Sequence, residues 1–248
     1  MFGYERVKFD YEPYPLGLIS DVFEPPIYNE LARTYPSLDI FKSMASVGNK
    51  YALSERNAPA VYHKFLRNNA AWGRFHSYVK SKEFIERTLD MLKANYIDLN
   101  LGKYRVANNS RRKHANPFNT LFGVSELTAR FEFSMMSGKG GNIRPHTDHP
   151  LKLITFVFSA MPDGEWNQAW GGSTAVVWPK DRRRVYNQAN KYLNFDEVDV
   201  VKEFPFNANQ ALIFVKTFNS WHAVAPMTAP DDTALRKTLT INIEKRKA

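Results

Sequence analysis

Cysteine is absent from the 248 residues. That excludes disulfides and thiolate zinc sites together, and it leaves His, Asp and Glu as the strong metal ligands available. Long apolar runs are absent too: no stretch approaches the ~18 consecutive residues a membrane span needs. The start MFGYERVKFDYEP lacks the basic-then-apolar order of a secretory signal, so the expectation is a cytoplasmic protein with no membrane partner. Acidic residues are in deficit, 25 Asp and Glu against 34 Lys and Arg, for a net charge of +9. Such a balance bears on solubility and on affinity for polyanions, not on fold. Much of the excess sits in KYRVANNSRRKHANPFN (103–119) and KDRRR (180–184), which read as solvated basic loops before they read as a seat for an acidic partner. Repeats, low-complexity tracts and long linkers are missing as well, which leaves little support for two domains. One domain over residues 1–248 is expected.

What is present divides at about residue 120. Hydrophobic residues make up 44% and aromatics 14% of the chain, enough to bury a sizeable core. Residues 1–120 read as a largely helical support. After a strand in PLGLISDVF, the segment EPPIYNELARTYP has prolines suited to a helix start, Ile27, Leu31 and Ala32 along one side, and Pro36 as a stop. A second helix is predicted in SKEFIERTLDMLKANYIDL, with Ser81 as cap and Phe84, Ile85, Leu89 and Leu92 at helical spacing. In residues 121–248 the period falls to two. TARFEFSMMS, LKLITFVFSA, STAVVWP, ALIFVK and LRKTLTINI are short, rich in β-branched and aromatic residues, and separated by Gly, Pro and Asn. The fold class is therefore mainly β with supporting α-helices, its core a sandwich or barrel. In the last run Arg236, Thr238, Thr240 and Asn242 share one face, polar enough to line a cavity, while Leu239, Ile241 and Ile243 share the other.

IRPHTDHPLK (143–152) packs His146, Asp148 and His149 into four positions. In an extended segment His146 and Asp148 project the same way, so imidazole and carboxylate can reach one ion. The pair alone decides little, because six His and twelve Asp in this length give roughly 0.3 such pairs by chance. His222, in NSWHAVAP, lies between two strand-like runs that can bring it beside His146. Two His and one carboxylate on one side of an ion leave three positions open, the arrangement of non-haem Fe(II) oxygenases. His149 competes as a ligand but faces away if the chain is extended; His63, His76 and His114 read as ordinary surface or core histidines. Arg236, on the polar face of the last strand, suits bidentate capture of a carboxylate, against the plainer reading of an arginine paired with Asp231 or Asp232. Lys237 points to the opposite face and is the poorer candidate.

The order HTD at 146–148, WGGSTAVVWP at 170–179, FPFNANQALIFVKTFNSWHAVAP to residue 226, then ALRKTLTINI, resembles the 2-oxoglutarate and Fe(II)-dependent dioxygenases, in particular their prolyl-4-hydroxylase-like branch. The resemblance covers roughly residues 120–248. It implies a double-stranded β-helix (jelly-roll) core, with iron as the metal on His146, Asp148 and His222. It further implies 2-oxoglutarate and O2 as co-substrates, the keto acid's far carboxylate paired with Arg236, and ascorbate as a supporting reductant. The implied reaction hydroxylates an unactivated C–H bond as 2-oxoglutarate decarboxylates to succinate. Excluding water suits aromatic walls such as Trp178, Trp221 and Phe156, which serve equally as core packing; Gly171 and Gly172 suit a sharp turn. The nucleic-acid-dealkylating branch carries a second arginine where this chain has Asn242, which makes nucleic acid a weak reading. The Asp148 position also departs from the HxH plus glutamate spacing of cupins. A peptidyl residue, a free amino acid and a glycan precursor all stay open as substrate. Two rivals are a non-catalytic jelly-roll module that binds an acidic partner through the basic loops, and a metal-dependent hydrolase on the same His and Asp residues.

Overall fold

The computed structural model describes residues 2–44, 48–107 and 114–247, so residues 108–113 of the first basic stretch lie outside the described residues. The strands are β1 (Val7–Asp10), β2 (Leu16–Ser20), β3 (Lys42–Met44), β4 (Lys50–Ser54), β5 (Tyr104–Val106), β6 (Ser125–Ser137), β7 (Ile143–His146), β8 (Lys152–Ser159), β9 (Thr174–Pro179), β10 (Val198–Phe204), β11 (Gln210–Val215), β12 (His222–Val224) and β13 (Leu235–Lys245). The helices are α1 (Pro25–Arg33), α2 (Pro59–Asn68), α3 (Ala70–Val79), α4 (Lys82–Ala94) and α5 (Pro117–Leu121).

From β6 onward the chain shuttles between two sheets. The larger holds β11, β8, β13 and β6 side by side, and the smaller runs β10, β9, β12, β7. Within each sheet these neighbours are antiparallel, and most steps along the chain cross from one sheet to the other. That is the jelly-roll the resemblance implies, and it fits the sandwich or barrel expected from the period-two runs. Segments before residue 121 extend the larger sheet at both edges: β1 and β2 continue past β11, β4 and β3 past β6, and β5 pairs parallel to β6. The N-terminal region thus supplies strands as well as helices. Without them β11 and β6 would present open edges, each a row of unpaired backbone groups.

The helices cover one face of the larger sheet. Alternation along the strands sends Phe131 and Phe133 of β6, Phe156 and Phe158 of β8, and Leu239 and Ile241 of β13 to that face, where they meet Trp72, Phe75, Phe84 and Leu92. Trp72 and Phe133 sit edge to face, ring centroids 4.8 Å apart, a geometry that adds about 1 kcal/mol to the burial of two large rings. In α4 the expected stripe is found: Phe84, Ile85, Leu89 and Leu92 are buried, and the Ser81 hydroxyl accepts from Phe84 N at 3.2 Å. In α1 the buried stripe is Tyr28, Leu31 and Ala32, and Ile27 is exposed. The rotation has a cause: the Tyr28 hydroxyl reaches inward to donate to the Met161 carbonyl, so the tyrosine takes the place that hydropathy assigned to the isoleucine.

The second basic stretch is a short turn beside β9. Arg183 pairs with Asp181 at 2.9 Å, Arg184 with Glu197, and Lys180 donates to the Asp196 carbonyl. Its cations are largely engaged with their own neighbourhood, as a solvated loop's would be. Among the described residues no helix is long and apolar enough to cross a membrane.

Candidate metal centre

Between the two sheets the site face of the larger one is polar. Arg236, Thr238 and Thr240 of β13, Ser134 and Met136 of β6, and Thr155 of β8 line a cavity with His146, Asp148 and His222. The face assignment read from β13 therefore holds, and Lys237 lies on the other side, 3.9 Å from Glu165.

His146 closes β7 and His222 opens β12; the two are register partners, with ring centroids 4.4 Å apart. Asp148 joins them by a route that the sequence did not suggest. It lies beyond the end of β7 with φ +69°, in the left-handed region that costs an ordinary residue roughly 1–2 kcal/mol. The turn there, and not strand alternation, swings the carboxylate back under His146. The same turn carries His149 outward, where its Nδ1 accepts from Leu151 N at 3.2 Å; it reaches the cavity rim but stays outside the ligand cluster. One donor atom each from His146, Asp148 and His222 fall within 4.8 Å of one another, and His146 Nε2 stands 3.7 Å from Asp148 Oδ1.

The tautomers follow from the backbone. His146 Nδ1 lies 3.0 Å from the Arg144 carbonyl and His222 Nδ1 2.9 Å from the Ser220 carbonyl. A carbonyl only accepts, so each Nδ1 carries the proton and each Nε2 presents its lone pair. Burial, reinforced by His146, lowers the His222 pKa to about 3, so its ring is neutral at physiological pH. Asp148 is ionised despite burial, because Lys152, first among its neighbours, holds its pKa well below the usual carboxylate range. Lys152 Nζ lies 2.6 Å from Asp148 Oδ1. The Thr155 hydroxyl stands 2.9 Å from both Asp148 Oδ2 and Asn242 Oδ1, and its single hydrogen serves one of them.

Packing fixes the rings. Phe214 stacks on His222 with centroids 4.4 Å apart, and Tyr192 on His146 at 5.3 Å. Tyr192 comes from the loop between β9 and β10, which is tied to the ligand turn where Leu193 N donates to the Pro145 carbonyl at 3.0 Å and the Thr147 hydroxyl to the Asn187 carbonyl at 3.0 Å. Nothing periodic in NQANKYLN signals this role. The aromatics suggested from sequence go elsewhere. Phe156 faces the helices. Trp221 packs with Val177 and Leu193 and donates to the Val185 carbonyl at 2.7 Å. Trp178 does not line the cavity. Alternation accounts for Phe156, whose neighbour Thr155 takes the site side, and Trp221 likewise precedes the site residue His222; Trp178 shares a face of β9 with Thr174 and Val176 but sits beyond the cavity.

Arg236 is 3% exposed. Its Nε donates to the Gly172 carbonyl at 2.8 Å, and its guanidinium lies 4.0 Å from the Phe206 ring centroid. Asp231 and Asp232, the plainer partners, are engaged with Thr233 and Ser137. Among the described residues no carboxylate pairs with Arg236, and burial pushes its pKa down to about 9. A buried cation without a counter-ion is costly unless an anion completes it. Gly172 makes room for it: at φ +86° any Cβ would stand 3.2 Å from Arg236 Cδ and 3.1 Å from Trp166. The glycine pair WGGS thus does allow a sharp turn, and its second member also admits the arginine.

These residues fit a metal and a dicarboxylate. Two imidazoles and a carboxylate suit a divalent first-row ion, and the guanidinium without a carboxylate partner suits a carboxylate beyond it. Residues 131–244 match the family described as the 2OG-Fe(II) oxygenase superfamily. Among solved structures, a Pseudomonas putida prolyl-4-hydroxylase aligns over 96% of both chains at 12% identity with a TM-score of 0.51, a likeness of fold. A Burkholderia pseudomallei oxidoreductase of the 2OG-Fe(II) oxygenase family aligns over 56% of this chain and 55% of its own at 19% identity, TM-score 0.30. The Fe(II)/α-ketoglutarate-dependent dioxygenase TqaL aligns over 90% and 76% at 11% identity, TM-score 0.45. No curated protein matches the sequence.

Proposed function

We propose, from the premise that this chain belongs to the 2OG-Fe(II) oxygenase superfamily, that His146, Asp148 and His222 hold the iron and that Arg236 anchors 2-oxoglutarate. The observation that carries the reading is the convergence of three donor atoms from β7, its following turn and β12 within 4.8 Å, in one cavity with an arginine that has no carboxylate partner among the described residues. When bound, Fe(II) and 2-oxoglutarate supply the oxidising chemistry: O2 is consumed, the keto acid becomes succinate and CO2, and a substrate C–H becomes C–OH.

The protein's own part is positional. The Arg144 and Ser220 carbonyls fix the two imidazoles with Nε2 inward. Thr155 orients one oxygen of Asp148 while the other faces His146. Arg236, held by Gly172 and Phe206, binds the far carboxylate as a fork-to-fork pair. Phe214 and Tyr192 flank the histidines with apolar surface, which limits water beside a reactive oxidant. No general base is needed from the protein, and none of the described cavity residues is placed as one.

The substrate is an organic molecule with an unactivated C–H bond: a peptidyl residue, a free amino acid or a glycan precursor. Nucleic acid is disfavoured because Asn242 is buried and turned to Thr155, offering no cation at the position where the dealkylating branch has its second arginine. A cytoplasmic setting accompanies the proposal. The test is succinate formation from 2-oxoglutarate with Fe(II) and ascorbate. The wild type gives iron-dependent succinate even without substrate, as slow uncoupled turnover; an Asp148→Ala protein that turned over normally would refute the assignment.

A further inference from the structure

The cavity has more positive charge than its own chemistry uses. Asp148 is the sole acid among its described lining residues, against Lys50, Lys152 and Arg236. Beside Lys50 lies Glu132, 2.8 Å away, which is shared with Arg130; Arg130 is in turn the register partner of Asn242, whose side chain adjoins Thr155 and Asp148. Four cations and two acids leave two positive charges over. A divalent metal raises the excess to four, and a dicarboxylate co-substrate returns it only to two. Arg144, outside the lining, lies over the Tyr192 ring at 5.2 Å.

Lys152 is the cation placed to act on this excess. Its ammonium lies against Asp148 Oδ1, the same oxygen that faces His146 Nε2 and is therefore the one a metal in the triad would take. A metal ion and an ammonium on one carboxylate oxygen repel each other, and the divalent ion wins the contest. Lys152 is 19% exposed at its side chain and lines the cavity with His149 beside it, so an ammonium leaving Asp148 stays at the wall where substrate must lie.

We infer that the primary substrate is an anion, and that Lys152, displaced from Asp148 by the metal, receives its carboxylate or phosphate group. This deepens the assignment of the metal centre and rests on it. Lys152 is accordingly a specificity residue.

The test uses the protein loaded with Co(II) and the 2-oxoglutarate analogue N-oxalylglycine, followed by the visible absorption of Co(II). Acetate, methyl phosphate and neutral acetamide are the probes. Acetate or methyl phosphate should bind where acetamide does not, and whichever binds tighter identifies the group. Lys152→Met should weaken that binding about tenfold or more, as expected for loss of a charged hydrogen bond, with N-oxalylglycine affinity changed less than about twofold because Arg236 is untouched. The variant should also take up Co(II) several-fold more tightly, since no ammonium competes for Oδ1; Lys152→Gln gives the same readings if the methionine variant folds poorly. Equal response to all three probes, or anion binding unchanged in both variants, overturns the inference and leaves the metal centre standing. Failure of the wild type to bind Co(II) in a His222-dependent way overturns both.

Discussion

β6, β8 and β13 each have two faces that do opposite work. On the helix side, Phe131, Phe133, Phe156, Phe158, Leu239 and Ile241 form an aromatic and aliphatic core. On the other, one residue along in each strand, Ser134, Thr155, Arg236, Thr238 and Thr240 line the cavity. The apolar face gains stability by burial. The polar face gives some back, since it holds a buried guanidinium with no counter-ion among the described residues and is flanked by an aspartate in a left-handed conformation. Such local cost is common at functional sites and persists because surrounding structure over-determines it. One strand period thus separates residues that fold the protein from residues that act.

Substitutions should therefore split by face. Asp148→Gly should have the largest effect on chemistry: the left-handed backbone suits glycine, so the fold stays intact while succinate formation falls by at least about a hundredfold, as loss of a ligand implies. A circular dichroism melt beside the succinate assay separates these outcomes, and a variant that unfolded would blur the division. Phe133→Ala, on the opposite face of β6, should do the reverse. It should cost about 3–5 kcal/mol of stability, read in a urea titration, while turnover per folded molecule in the cold stays near wild type.

Gly172→Ala sharpens the boundary further. A Cβ there crowds Arg236 Cδ and Trp166, so KM for 2-oxoglutarate should rise about tenfold while iron affinity, measured separately, holds.

A last contrast concerns pH and the helix side. Burial, then the nearby Lys80, lowers the His76 pKa from 6.5 to about 4. The fold therefore favours the neutral ring, and its contribution is complete above pH 6.5 and is lost as pH falls toward 4, by at most about 3 kcal/mol. His76→Phe should flatten the stability profile of the metal-free protein across that window; an unchanged slope would show that His76 is not its source.

The two faces were unequally legible in the sequence. Alternation in RKTLTINI separated Arg236, Thr238 and Thr240 from Leu239 and Ile241 because a strand's period is fixed by its backbone. His146, Asp148 and His222 could be named because residue type restricts metal ligands in a chain without cysteine. The reason given for Asp148 was nonetheless mistaken, since strand alternation does not aim it and a turn at φ +69° does. Lys50, Tyr192 and Phe214 were invisible as cavity residues. Lys50 arrives through the pairing of β4 with β6 and Tyr192 through hydrogen bonds tying its loop to Pro145 and Thr147, contacts between distant segments that no local pattern encodes. Lys152 was hidden in plain view, four residues after Asp148 on the next strand.

The central claim is that residues of β7, its following turn and β12 meet at a single metal ion between the two sheets. Anomalous diffraction at the iron edge, from crystals grown anaerobically with Fe(II) and N-oxalylglycine, tests it directly. The account expects one strong peak bounded by His146, Asp148 and His222, with the analogue's far carboxylate on Arg236. A peak elsewhere, or none at saturating iron, would contradict it.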